Sequence, residues 1–269
     1  MKLPIISVVI TTHNTPEIII DCITSVKNQT YSNIEIIVVD DVLIKENIYR
    51  KFIEKNARYF QDGPERSIKE NRGVQEANGE FILIVDQDMK LSPNIIESCY
   101  NKLLQENLIG VKIPEISFGE GFWAKCIALD RYISNVLENS LNESCRFFRK
   151  EDFLKIGGYD ESIVGAEDSD FHYRLLSLGK IGKINNLIYH NEGRTKLWER
   201  IKKKYYYSRA FRKYFKKRPY IAIAQFFPIK LAYLKHPVVL LKQPIVTLGM
   251  IAMRGCEVIA GTIGLLLFR

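Results

Sequence analysis

Short runs of β-branched and other apolar residues recur through the first two thirds of the chain, separated by polar turns and by segments whose apolar positions fall three and four apart. Residues 5–11 (Ile-Ile-Ser-Val-Val-Ile-Thr) form the first run and residues 34–39 (Ile-Glu-Ile-Ile-Val-Val) the second. Residues 81–85, Phe-Ile-Leu-Ile-Val, are unbroken by any polar side chain. A run this short cannot be a core helix, so it predicts a strand covered on both faces, as in a parallel sheet. Shorter extended pieces are expected at 59–61, 109–113, 146–149 and 183–190. Between them the pattern predicts helices over 16–28, 46–58, 67–77, 92–106, 150–156 and 167–178. Pro16 opens the first where its missing N–H costs nothing, and Asn78-Gly79 and Gly179 close two others. Residues 118–142 read as irregular, then helical. This alternation of strand and helix predicts an α/β fold, a mostly parallel, doubly wound sheet with right-handed crossovers.

The strands end in polar clusters: Thr12-His13-Asn14, Asp40-Asp41 and Asp86-Gln87-Asp88. In an open α/β sheet the ligand crevice lies at the carboxyl ends of the strands, so these clusters should converge on one edge. Asp86 and Asp88 are two apart and in extended chain point the same way. They could hold a divalent cation, or form a solvated acidic turn; Asp-x-Asp alone leaves both open.

With 269 residues, 46% of them hydrophobic, the chain can bury a substantial core. Charge divides it more sharply than size does. Residues 1–193 carry 22 Lys and Arg against 29 Asp and Glu, a net of −7, whereas residues 194–269 carry 17 against 2, a net of +15. An acidic body followed by a basic tail implies that the tail meets an anionic surface, either nucleic acid or lipid headgroups. The five cysteines (22, 99, 126, 145, 256) are odd in number and lack Cys-x-x-Cys pairing, which predicts neither a disulfide framework nor a zinc site and fits a reducing cytoplasm. No segment of signal-peptide length precedes the first strand, so export is not expected.

The motifs, taken in order, carry a resemblance. Ser-Val-Val-Ile-Thr-Thr-His-Asn, Ile-Ile-Val-Val-Asp-Asp, Glu65-Arg66-Ser67 with Asn71-Arg72-Gly73 and Ala77-Asn78-Gly79-Glu80, Val-Asp-Gln-Asp, Gly157-Gly158-Tyr159-Asp160-Glu161 and Glu167-Asp168-Ser169-Asp170 resemble the family 2 glycosyltransferases of GT-A fold. The resemblance covers about residues 4–193 and implies a nucleotide-sugar transferase domain over 1–193. It implies that Asp88 binds Mn²⁺ or Mg²⁺ directly, that Asp86 contacts the ribose or reaches the metal through water, and that His190 completes the coordination or touches the diphosphate. Thr12, Asn14, Asp40, Arg66 and Asn71 would contact the nucleotide-sugar. Asp40-Asp41-Val42-Leu43 departs from the Asp-Asp-Gly-Ser common in the family, which leaves the base contacts open. In the family, one carboxylate of the Glu167-Asp168 pair removes the acceptor hydroxyl's proton, and a single displacement inverts the anomeric centre; Asp168 is the expected base, Glu167 its neighbour and Asp170 a weaker candidate. Read without the resemblance, the same acids simply complement a helix N-terminus.

Residues 194–218 hold twelve basic residues and one acid among seven aromatics, a composition shared with RNA-binding segments. The apolar stretch from 219 to 269 favours a membrane instead. Its longest run, 245–268, has Arg254 and Glu257 near its middle, where a charge in a bilayer costs about 2.5–3.5 kcal/mol. Residues 194–269 are therefore expected to form amphipathic helices on the cytoplasmic face of the membrane rather than to span it, with a helical subdomain packed on the body or on another subunit as the competing reading. The chain lacks the Gln-x-x-Arg-Trp motif of processive family members, which implies single-sugar transfer. The expected activity is inverting, metal-dependent transfer from a nucleotide-sugar to a hydroxyl of a lipid or lipid-linked acceptor, with no nucleic acid partner. The alternatives are a polyprenyl-phosphate sugar synthase and a non-catalytic nucleotide-sugar-binding protein; whether the chain forms a homo-oligomer stays open.

Overall fold

The computed structural model describes residues 3–13, 17–41, 48–138, 144–226 and 231–267. Asn14 and the Val42-Leu43 departure lie outside them. The chain divides into two compact units, the first made of Met1–Pro114, Ser144–Glu161 and Glu167–Tyr189, the second of Glu115–Glu143, Ser162–Ala166 and His190–Arg269. The second unit therefore takes in residues 115–143 and 162–166 as well as the basic tail, a division the charge pattern did not suggest.

The first unit is built on a seven-stranded sheet. Its strands are β1 (Ile6–Thr11), β2 (Ile34–Asp41), β3 (Arg58–Asp62), β4 (Phe81–Asp86), β6 (Gly110–Lys112), β8 (Cys145–Arg149) and β9 (Ile181–Lys183), with β5 (Met89–Leu91) and β7 (Glu115–Glu120) between them in chain order. The order across the sheet is β3-β2-β1-β4-β8-β6-β9. β1 pairs in parallel with β2 and β4, β2 with β3, and β6 with β9, whereas β8 runs antiparallel to both β4 and β6. Helices α1 (Ile18–Lys27), α2 (Arg50–Asn56), α3 (Arg66–Glu76), α4 (Ile95–Gln105), α6 (Lys150–Lys155) and α7 (Glu167–Leu176) complete the unit.

Alternate side chains of the central strands enter two separate cores. Ile6, Val8 and Ile10 of β1 and Phe81, Leu83 and Val85 of β4 pack in one, while Val9, Ile82 and Ile84 pack in the other. That two-sided burial is why these strands read as unbroken apolar runs. Each such side chain contributes about 1.5–3 kcal/mol of gross hydrophobic stabilisation, most of it offset by chain entropy. Gly73 lets α3 lie close on the sheet, because a Cβ there would run into the side chain of Val9.

Two sequence expectations shift. The single strand predicted over 183–190 is divided into β9 and β10 (Ile188–Arg194), and the Asn185-Asn186 pair falls between them, with Asn186 Nδ2 donating to Asn94 Oδ1 at 2.7 Å. The stretch predicted as irregular and then helical is β7 followed by α5 (Phe122–Arg131) and a π-helical turn at Tyr132–Leu137.

The second unit is mainly helical. Besides α5 it contains α8 (Leu197–Lys217), α9 (Pro219–Phe226), α10 (Leu231–Lys235), α11 (Pro237–Leu241) and α12 (Pro244–Leu267). Cys126, Ile127, Leu129, Ile133, Tyr233, Met250 and Met253 form its core. By length and composition α12 is apolar enough to cross a membrane.

Candidate active site

The register of the sheet brings the polar strand ends to one edge. Thr11 pairs with Val39 on one side and Asp86 on the other, and Gln87 N–H donates to Thr11 O at 3.2 Å. Thr12 follows at once, its Oγ1 donating to Gln87 Oε1, while Lys69 Nζ on α3 donates to Thr12 O at 2.8 Å. Gln87 also clasps the His13 backbone, accepting from N–H and donating to the carbonyl, each at 3.2 Å. Asp40 is fully buried; Tyr59 Oη donates to its Oδ2 at 2.9 Å and Asp41 N–H to its Oδ1 at 2.8 Å. His13 Nδ1 lies 2.7 Å from Asp41 Oδ2. The Asp40 carboxylate is thus oriented by Tyr59 and by the backbone of its neighbour. Burial lowers the Lys69 pKa, with Asp41 and Asp40 opposing the change.

Beyond this edge, one guanidinium gathers the acids. Arg66, at the start of α3, places Nη2 on Asp168 Oδ2 and 3.1 Å from Glu167 Oε1, and Nη1 3.6 Å from Asp86 Oδ1. Its Nε lies 3.6 Å from Glu70 Oε1, one helical turn on. Asp86 is held from its other side by Arg146 of β8, Nη2 to Oδ2 at 3.2 Å, and Arg146 Nη1 donates to Ile84 O at 3.4 Å. Burial works against the Arg66 cation, yet Asp168, Glu70, Asp86 and Glu167 together raise its pKa well above the ordinary value. Glu70 is fully buried, and neither of its carboxylate oxygens has a hydrogen-bond partner among the described residues. Burial, reinforced by Asp168, Asp86 and Glu167, lifts its carboxyl well above the usual range despite Arg66. Glu167, Asp168 and Asp170 open α7, where the positive end of the helix dipole favours them.

The expected site residues divide on these contacts. Asp86, Arg66, Glu167 and Asp168 are brought together, although Arg66 sits on acids here. Asn71 is occupied elsewhere: its amide accepts from Tyr159 N–H at 2.9 Å and donates to Tyr159 O at 3.0 Å and Glu161 Oε1 at 2.8 Å. It fastens α3 to the turn through Gly157 and Gly158, whose φ of 79° and 66° suit residues without a Cβ. Asp170 is buried and accepts from Arg174 Nε at 2.7 Å, a tie within its own helix. His190 lies in the second unit with Nδ1 2.6 Å from Arg131 Nη1 and 3.3 Å from Glu115 Oε2.

For a cation, the chain offers two hard carboxylates at the end of β4, Asp86 and Asp88. Among the described residues no group of three His, Cys, Asp or Glu could hold a metal ion. This donor set fits Mg²⁺ or Mn²⁺, which keep waters and take substrate phosphate oxygens beside one or two carboxylates, and does not fit an all-protein cage. Arg146, Lys69, Glu70, Gln87 and Tyr59 had no role in the sequence reading. Arg146 carried no local signal, because its meeting with Asp86 depends on the antiparallel pairing of β8 with β4 across some sixty residues of chain.

The family model for "Glycosyl transferase family 2" matches residues 7–162, more than half of the chain. The chain belongs to glycosyltransferase family 2. That match takes in Asp40, Arg66, Asp86, Asp88 and Arg146 and stops before Glu167 and Asp168. Glycosyltransferase GlyG of Streptococcus pneumoniae is 31% identical over 115 residues, 38% of this chain and 36% of that protein. An uncharacterized glycosyltransferase of Methanocaldococcus jannaschii is 27% identical over 226 residues, 77% of this chain and 78% of its own. The chain spans about a third of the length of the first curated relatives it matches. Among solved structures, S. aureus TarS 1–349 in complex with UDP-GlcNAc superposes with a TM-score of 0.54 at 17% identity, covering 77% of this chain and 66% of that one. The shared fold is GT-A, the mostly parallel central sheet flanked by helices described above.

Proposed function

We propose that this family 2 glycosyltransferase moves a single sugar, with inversion and with the help of Mn²⁺ or Mg²⁺, from a nucleotide-sugar to a hydroxyl of a lipid or lipid-linked acceptor at the cytoplasmic membrane face. One observation carries the reading: Arg66 touches both the acid that ends the central strand, Asp86, and the acid pair that opens α7, Glu167 and Asp168. Donor-side and acceptor-side carboxylates are thereby within one side chain of each other. TarS, solved in complex with UDP-GlcNAc, supports a nucleotide-sugar donor.

In this reading Asp86 and Asp88 hold the cation, which when bound neutralises charge developing on the departing diphosphate. Thr12, Asp40 and Tyr59 line the nucleoside end. Asp168 takes the acceptor hydroxyl's proton, and Arg66 orients its carboxylate until a diphosphate competes for the guanidinium. Arg146 fixes the Asp86 carboxylate through its bond to Oδ2.

Release of nucleoside diphosphate from a panel of nucleotide-sugars, with Mn²⁺ or chelator and with or without membrane lipid extract, tests donor, metal and acceptor together. Asp168→Asn should lower transfer about 10²–10⁴-fold, the usual contribution of a general base. Transfer by that variant at the wild-type rate would sink the hydroxyl-acceptor reading in favour of a phosphate acceptor, which needs no base.

A further inference from the structure

The exposed surface of α12 is a single apolar stripe. Ile245, Leu248, Ile251, Ile259, Ile263 and Leu266 are exposed, and at the central turn the stripe continues through exposed Ala252 and half-buried Gly255, where among the described residues nothing lies within 4 Å of an added Cβ. It runs about 30 Å along the helix and contains no charged side chain. The opposite face is buried through Gly249, Met250, Met253, Glu257, Ala260, Gly261 and Gly264. Two of those glycines mark close approach: a Cβ on Gly249 would enter the Phe122 ring of α5, and one on Gly264 would collide with Ser208 of α8.

Both charges of the helix are turned inward. Asp130 of α5, buried, pairs with Arg254 and accepts from Tyr233 Oη. Glu257, also buried, accepts from Arg200 Nε of α8 at 2.7 Å and pairs with Arg254 Nη1 at 2.6 Å. A helix that crosses a bilayer alone must be apolar all round. Carrying α12 across would either break this network or draw in α8, whose Lys202, Lys203 and Lys204 are exposed.

We propose that α12 lies in the plane of an anionic bilayer surface, its Ile245–Leu266 stripe sunk toward the acyl chains and its polar face fastened to α5 and α8. This rests on the membrane association proposed above and names the surface that makes it. Charge selects the occupant: residues 194–269 carry a net +15, which attracts anionic headgroups and repels a second copy of the same surface.

The test uses the full chain with vesicles of phosphatidylglycerol and phosphatidylethanolamine. Wild type should co-sediment with them, and Leu248→Glu/Ile259→Glu/Ile263→Glu should bind at least about tenfold more weakly while still binding UDP with Mn²⁺. In a Trp123→Phe/Trp198→Phe background, single tryptophans at Leu248→Trp, Ile259→Trp and Leu266→Trp should be quenched alike by shallowly brominated lipid. Strong quenching of the Ile259→Trp variant by deeply brominated lipid, with the other two shallow, would overturn the in-plane arrangement and leave membrane association standing. Failure of the wild type to sediment would overturn both. A soluble dimer dissociated by the triple substitution would assign the stripe to a second copy instead.

Discussion

Arg66 and Asp168 provide a direct test of the charge arrangement on which the site depends. Replacing Arg66 with Met keeps the alkyl stem and removes the guanidinium; replacing Asp168 with Asn keeps the shape and removes the charge. An exposed ion pair is worth about 0–1 kcal/mol, whereas stripping one partner from a buried pair costs about 3–5 kcal/mol. Here the arginine side chain is 33% exposed and the aspartate 27%, so the pair falls between those limits. A coupling energy of about 1.5–3 kcal/mol is expected from the double-mutant cycle. At about 2–4 °C per kcal/mol for a protein of this size, the four melting temperatures should depart from additivity by about 3–12 °C. The cycle is measured by thermal unfolding of wild type, both single variants and the double variant, at low salt, with and without UDP and Mn²⁺. Nucleotide should shrink the coupling, because a diphosphate draws the guanidinium off Asp168. Additivity within about 0.5 kcal/mol in the absence of nucleotide would refute the pairing and, with it, the view that Arg66 joins the two acid clusters.

Three further outcomes follow from the packing and the buried charges. Glu70→Gln should stabilise the protein progressively as pH rises above about 4.5: a carboxyl whose folded pKa is raised holds its proton only in the native state, so wild type loses stability on alkalinisation; melting curves from pH 4 to 8 that stay parallel would show otherwise. His172 is pushed down from 6.5 to about 4 by burial, helped by Lys112, so wild type should lose up to about 3 kcal/mol between pH 6.5 and 4; urea midpoints for His172→Gln should be flatter across that window. Gly73→Ala should cost about 1–3 kcal/mol, because its methyl overlaps Val9 of the central strand, and a variant that melts with wild type would contradict the close contact of α3 on the sheet.

What the linear chain determined was the set of strands and their polar ends. Residues 81–85 could be read as a doubly covered strand because burial on both faces removes the polar alternation a half-exposed strand would show, and Asp86 and Asp88 stood out because charge follows that run directly. Likewise Glu167, Asp168 and Asp170 announced a helix start, since acids complement its dipole. Only the tertiary structure decided which of these groups meet. Asn71 looked like part of a binding motif, but its amide closes the turn at Tyr159, a partner 88 positions away. Arg146 read only as one residue of a short strand until the antiparallel insertion of β8 set it against Asp86. Glu70 gave no sign of itself, for nothing local reveals that a helical carboxylate will be buried behind an arginine. Arg254 and Glu257 read in sequence as charges stranded in an apolar helix, and folding turned them inward onto Asp130 and Arg200. The division has one cause: periodicity and capping act over a few residues and are written in sequence order, whereas pairing between charges depends on contacts closed over tens of residues, which only the packed chain specifies.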